Sequence, residues 1–312
     1  MKNNFNLIRY SLAVFVLYSH SFGLLTLPEP SIFYSSLGNF AVKSFFALSG
    51  YFIALSLLRT NNLMFYIFNR ALRILPALII ALILSRYIGN VFDNFIQNPV
   101  PYILNGPIWT LSWEIFCYLL LGLLSWYGIV NQKSLGALLS VSWLLMIVSP
   151  FSNETIQVIA PLIILFFSGA YIALNKDHIN FTLIGPLSFI ILVLIAYNPQ
   201  GEFLQYFFNH IVYLYGPNFG INKYMQLIYL FLLPYSLLWL GSLGQFRILQ
   251  WKNDYSYGIY IYAWPIQQIV INKTLPEGIT PIVLFFTSWL FTHIVAMFSW
   301  HIIEKNMLKL KK

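Results

Sequence analysis

Long apolar stretches separated by short polar connectors run through the whole chain. Ten of them reach or approach the length that crosses a hydrocarbon core of about 30 Å. They lie at roughly 7–27, 38–58, 72–90, 108–130, 134–150, 157–174, 181–198, 225–243, 256–272 and 281–303. None shows the alternating ten-residue strands of an outer-membrane barrel. The expected fold is all-α: a polytopic transmembrane helical bundle of about ten spans. It is expected to form a single domain over 1–312 with no appended soluble domain.

The polar connectors set an orientation. With the N-terminus in the cytoplasm, Lys2, Arg9, Arg59, Arg70, Arg73, Lys133, Lys176, Arg247, Lys252 and the C-terminal lysines fall inside. Outer connectors keep Glu29, Asp93, Glu154, Glu202 and Glu277, with Lys223 and Lys273. This asymmetry obeys the positive-inside rule and places both termini in the cytoplasm of a multi-pass protein of the cell membrane. Composition agrees, with 59% hydrophobic and 8% charged residues against about 25% charged in an ordinary soluble domain. The net charge of +8 is a topology signal in connectors and chain ends, so nucleic acid is not an expected partner; the lipid bilayer is. Lys2 and Arg9 before an apolar run mimic a signal peptide, but there is no convincing small-residue cleavage site and the run carries a histidine. One cysteine, Cys117, rules out an intrachain disulfide, and no Cys/His set has metal-site spacing.

Against this apolar background the ionisable residues inside spans stand out. In RYSLAVFVLYSH, Arg9 and His20 are eleven residues apart. At about 100° per residue they share a helix face, and at about 1.5 Å per residue they sit roughly 16 Å apart along the axis. Such groups cost about 2.5–3.5 kcal/mol in a bilayer and mark a cavity or a partner; a snorkelling arginine and a histidine bonded to a neighbouring helix account for them equally. FNRALRILP puts Arg70 and Arg73 three apart on one face of the opening turn of the third span. With Arg9 they form a candidate phosphate-binding set, the alternative being contact with lipid phosphate. Glu114, flanked by Trp109 and Trp113, is a carboxylate well inside a span, and His20 is its nearest candidate partner by depth. Such a pairing would make His20 a better general base.

Ser49-Gly50 permits close helix packing, and Lys43 suits snorkelling. Tyr257, Tyr260 and Gln267 could line a polar path, although tyrosines are common at membrane ends. His301 and Glu304 are expected to share a face of the last helix. His293 and His178 are read as structural. Two outer connectors are long: 91–107, rich in Pro and Gly, and 199–224, rich in aromatics with Asn209, His210, Asn218 and Asn222. The second composition suits sugar binding; an interfacial aromatic belt explains it as well.

Taken together, these segments resemble acyltransferase family 3, integral membrane O-acyltransferases that include O-acetyltransferases of bacterial surface glycans such as O-antigen and capsule. RYSLAVFVLYSH matches the family's Arg…His element, AVKSFFALSGYFI its FF-x-x-SG element and FNRALRILP its R-x-x-R-x-x-P element. IWTLSWEIFCYLL, YSYGIYIYAWPIQQ and SWHIIEK supply three more, in order along nearly the whole chain. Two departures are Ala263, where many members carry histidine, and Asn306, where proline is frequent.

The resemblance implies acetyl-CoA or another acyl-CoA as co-substrate, with no permanently bound cofactor and no metal. It implies a polysaccharide or undecaprenyl-linked glycan as acceptor. In those terms Arg9, Arg70 and Arg73 would hold the donor phosphates and His20 would be general base with Glu114, while Ser49, Trp109, Tyr257 and Glu304 would support them. Two other readings compete. A glycan-lipid flippase would use similar intramembrane charges, but it should show internal repeats or broken helices in corresponding halves, and neither is visible. A binding or scaffold protein without catalysis would have no reason to keep Arg9, His20, Arg70 and Arg73.

Overall fold

A computed structural model describes residues 4–33, 35–60, 62–91, 105–148, 154–179, 183–197, 221–243, 253–274 and 278–311. Each predicted span contains a helix, but the first and fourth helices stop short of the predicted bounds, at Gly23 rather than 27 and at Trp126 rather than 130. The helices are α1 (Phe5–Gly23), α2 (Leu37–Arg59), α3 (Leu63–Val91), α4 (Ile108–Trp126), α5 (Gln132–Val148), α6 (Glu154–Leu174), α7 (Ile184–Tyr197), α8 (Ile221–Ser242), α9 (Ser256–Thr274) and α10 (Pro281–Ser299). A π-helical turn, Trp300–Glu304, and a short α11, Lys305–Leu308, close the chain, and a small hairpin pairs β1 (Ser31–Ile32) with β2 (Ser35–Ser36).

Among the described residues, four helical stretches are long and apolar enough to cross a membrane: Leu37–Arg59, Leu63–Tyr87, Ile108–Trp126 and Pro281–Leu308. α1 and α9 have polar residues inside the packed helices, including Ser19, Ser21, Gln267 and Gln268, all buried. Such inward-facing residues lower a helix's mean hydropathy without making its outer face polar. Elsewhere large apolar side chains face outward, as Ile79, Leu82 and Ile83 do on α3 and Leu187, Ile190 and Leu194 on α7. An apolar surface this extensive needs lipid rather than water; this is a membrane protein.

The third helix begins nine residues before the predicted span. Asn62 accepts hydrogen bonds from the amides of Met64 and Phe65 through its side chain, a cap that starts the helix among polar residues. Arg70 and Arg73 therefore lie about two turns inside α3, not on its opening turn.

The chain divides into two compact units. The first comprises Met1–Pro30, Ser56–Trp126 and Gly244–Lys312. Its centre is α1 packed on α9 and α10, with α9 also against α10 and α3. Gly258 allows close approach of α9 to α10, since a Cβ there would lie 2.9 Å from that of Ala296. Gln267 donates from α9 to the Leu17 carbonyl (3.0 Å) and the Ser21 hydroxyl (2.8 Å) of α1. The Trp289 indole donates to the Tyr10 hydroxyl (3.0 Å), which lies 3.2 Å from His293 Nδ1. His293 thus joins α1 to α10.

The second unit comprises Ser31–Leu55 and Tyr127–Leu243. Here α2 and α6 meet backbone to backbone: a Cβ on Gly50 would lie 1.8 Å from the Phe166 carbonyl oxygen, and one on Gly169 2.0 Å from that of Ala47. Ser49 is the neighbour of this contact. Lys43 donates to the Tyr229 hydroxyl at 2.8 Å, so it is bonded within the unit. Residues 198–220, including Asn209, His210 and Asn218, and most of the 91–107 connector lie outside the described residues.

Candidate active site

Three helices of the first unit bring charges together at one end. Arg9 from the first turns of α1 and Arg73 from α3 both donate to Oδ2 of Asp254, at 2.6 and 2.5 Å. Asp254 stands two residues before α9, where its Oδ1 accepts from the amide (3.3 Å) and hydroxyl of Ser256. Burial alone would raise this carboxyl, but the two guanidiniums and Ser256 outweigh burial and hold it down at about 2, against an ordinary 3.8. Asp254 is therefore an anion at any physiological pH.

Arg73 has two further contacts. Its Nη1 lies 3.8 Å from Glu304 Oε2, and its guanidinium sits over the Trp300 ring, 5.4 Å from the centroid. Glu304 is buried and accepts from the Ser299 hydroxyl at 3.1 Å. Arg70, one turn back on α3, donates to the Ser56 hydroxyl at 3.1 Å. Its buried Nε has no hydrogen-bond partner among the described residues. The result is a cluster of three guanidiniums and two carboxylates with an excess of positive charge beside Arg70.

His20 lies eleven residues above Arg9 on α1, towards its C-terminal end. The Trp264 ring of α9 meets it edge-on, with centroids 5.0 Å apart and planes at 87°. Its Nδ1 is buried without a hydrogen-bond partner among the described residues. Gly106 backs the tryptophan, for a Cβ there would come within 2.7 Å of the indole. Imidazole and guanidinium cluster therefore occupy the two ends of one helix.

The structure joins Arg9 to Arg73 through Asp254, sets Glu304 against Arg73 and places Arg70 one turn away on α3. Glu114, on α4, accepts from the Tyr118 hydroxyl at 2.5 Å, and Trp109 is exposed on the same helix. Tyr257 donates to the Ile74 carbonyl at 2.8 Å and Tyr260 meets the Thr110 hydroxyl at 2.5 Å, so these tyrosines tie α9 to α3 and α4. His301 and Glu304 do not share a face. The π turn re-aims the chain, leaving Glu304 2% exposed and His301 on the surface, 3.2 Å from the Tyr255 hydroxyl.

Two residues of the site escaped the sequence reading. Asp254 is 245 positions from Arg9, and its one signal is that it is a rare acid on a side rich in cations. Glu29, read as an outer-loop charge, accepts a hydrogen bond from Ser19, next to His20.

Comparison with known proteins decides the family. An acyltransferase domain model matches residues 2–301. The chain belongs to acyltransferase family 3. It is similar to an O-acetyl transferase of Shigella phage Sf6, 28% identical over an alignment covering 98% of this chain and 96% of that one. No solved structure matches it. Membership agrees with the resemblance drawn from six short segments, and it gives the charged cluster and the imidazole of this membrane acyltransferase a reaction to be weighed against.

Proposed function

We propose that the protein transfers an acetyl group from acetyl-CoA, bound from the cytoplasm, to a hydroxyl of a surface polysaccharide or lipid-linked glycan at the cell membrane. One observation carries this reading: α1 places a guanidinium in a cationic cluster and an imidazole roughly 16 Å farther along the same helix. A CoA thioester has that polarity, phosphates at one end and a thioester at the end of a thin arm. The name of the phage relative supports acetyl as the group and oxygen as the acceptor atom.

Arg70 offers the donor a buried Nε without a partner, and Arg9 and Arg73 have further N–H groups beyond those spent on Asp254. Guanidinium forks suit phosphate oxygens. At the other end His20 takes the proton of the incoming hydroxyl as its oxygen attacks the thioester carbon. The C–O bond forms, the C–S bond breaks, and the proton passes from the imidazolium to the departing CoA thiolate. Nothing but the side chain need change state.

The test is acyl transfer from labelled acetyl-CoA to glycan by the purified protein in lipid. His20→Ala should lose transfer at least a hundredfold, the scale of general-base catalysis, while donor binding persists. Arg70→Ala should weaken donor binding. Failure of the unmutated protein to label any glycan, with donor present and the polysaccharide unmodified in cells, would refute the reading.

A further inference from the structure

The end of α1 carries more than His20. After Gly23 the helix stops in a tight turn: the Leu24 amide donates to the His20 carbonyl, the Thr26 amide to Gly23 and the Leu27 amide to Phe22. Thr26 takes a left-handed conformation, φ 59°, unusual for a β-branched residue and a mark of a backbone held by its surroundings. The turn sends Pro28-Glu29-Pro30 back along the helix just completed. Prolines on both sides fix the local backbone and limit where Glu29 can point. Its carboxylate accepts from the hydroxyl of Ser19, which is fully buried, and the other oxygen lies over Gly23, where a Cβ would be 2.9 Å away. Glycine at 23 leaves the room that the carboxylate occupies.

His20 is the next residue after Ser19. α9 presents Trp264 and Gln267 to this end of α1, and α10 presents Phe285, which packs on Tyr18. None of these three carries a charge. The charged side chain that the turn brings back to this end of the helix is Glu29, bonded to Ser19 and lying over Gly23, one residue before His20 and three after it.

We propose that Glu29, folded back by the Thr26 turn and held by Ser19, is the positioning carboxylate of His20. It stabilises the imidazolium that forms as the acceptor hydroxyl loses its proton. This rests on the acyl-transfer reading above and gives Glu29 the role that the sequence suggested for Glu114. A carboxylate in this place favours the charged ring through space, and the ring becomes a stronger base. Trp264 packs edge-on against the ring. The segment LPEP is thereby a working part of the site.

The experiment measures kcat, KM for acetyl-CoA and the pH profile of glycan acetylation for Glu29→Gln, Glu29→Asp, Ser19→Ala and Glu114→Gln in lipid. Glu29→Gln should lower kcat roughly tenfold or more and leave KM for the donor within about twofold. Without the negative charge the imidazolium is harder to form, so the acidic limb of the profile moves to lower pH. Glu29→Asp should restore part of the rate. Ser19→Ala, which keeps the charge and removes its tether, should show a smaller loss of kcat with the same KM. A folded Glu29→Gln protein with the rate and profile of the unmutated one overturns the proposal. So does a shift in Glu114→Gln that Glu29→Gln lacks. If Glu29→Gln fails to fold, Ser19→Ala decides, and an unchanged kcat there overturns it. Absence of transfer by the unmutated protein would instead strike the function itself.

Discussion

Replacing Asp254 by asparagine tests the charged cluster most directly. Arg9 and Arg73 reach the same oxygen at 2.6 and 2.5 Å, so the two cations lie within about 5 Å of each other and repel by about 3 kcal/mol at an effective dielectric of about 20. Asp254 offsets that repulsion. Its carboxyl held at about 2 instead of 3.8 corresponds to roughly 2 kcal/mol of preference for the charged form. A depressed carboxyl contributes its stability above its unfolded value of 3.8 and loses it only as pH falls through about 2. The contribution is therefore complete at neutral pH, and Asp254→Asn removes it there.

The expected loss is about 2–4 kcal/mol, a little below the 3–5 usual for breaking a buried pair, because asparagine keeps one acceptor oxygen. In a melting experiment in detergent or nanodisc that is on the order of 3–6 °C. Acetyl-CoA adds a second readout. If its phosphates engage Arg9 and Arg73, donor binding supplies the missing anion, and the donor-induced rise in melting temperature should be larger in the variant than in the unmutated protein. A variant that melts within about 1 °C of the original at pH 7 would refute the charge argument. Equal donor-induced shifts would refute the placement of phosphate on these two side chains.

Packing and polar contacts make their own predictions. Gly50→Ala and Gly169→Ala each drive a methyl into a backbone carbonyl, 1.8 and 2.0 Å away, where no side chain can swing aside. Each should cost about 3 kcal/mol or more, read as loss of monodisperse protein on size exclusion. Gln267→Leu keeps the volume of a fully buried side chain and severs two hydrogen bonds to α1. Its cost should be about 0.6–1.5 kcal/mol, the scale of interhelical bonds in membranes, measured by thermal unfolding in the same lipid.

The positions of the helices were written in the apolar runs, since a segment that cannot meet water declares itself over some twenty residues. The Arg9–His20 spacing was equally readable, because helix geometry converts eleven residues into an angle and a length without further knowledge. What sequence periodicity could not supply were departures from ideal helix and contacts made by distant segments. α3 begins early because Asn62 caps it. His301 and Glu304 part company because the last helix widens into a π turn, which no three-residue spacing announces. Glu29 returns to α1 through a left-handed threonine, a conformation that the residue type argues against.

Asp254 shows the same limit from the energetic side. A cluster of guanidiniums looks from sequence like an open anion site, but partly buried cations at this separation need anions simply to fold. Asp254 and Glu304 supply them from two places far along the chain, and both converge on Arg73. Among the described residues Arg70 has a serine hydroxyl for its Nη2 and no carboxylate within salt-bridge distance. The uncompensated charge therefore sits on the α3 residue nearest Ser56. On the acyl-CoA reading an incoming phosphate should meet Arg70 first and compete with Asp254 for Arg9 and Arg73 afterwards. Resident carboxylates that keep the empty site folded also limit how tightly it grips, and a donor whose product must leave after each transfer needs both properties.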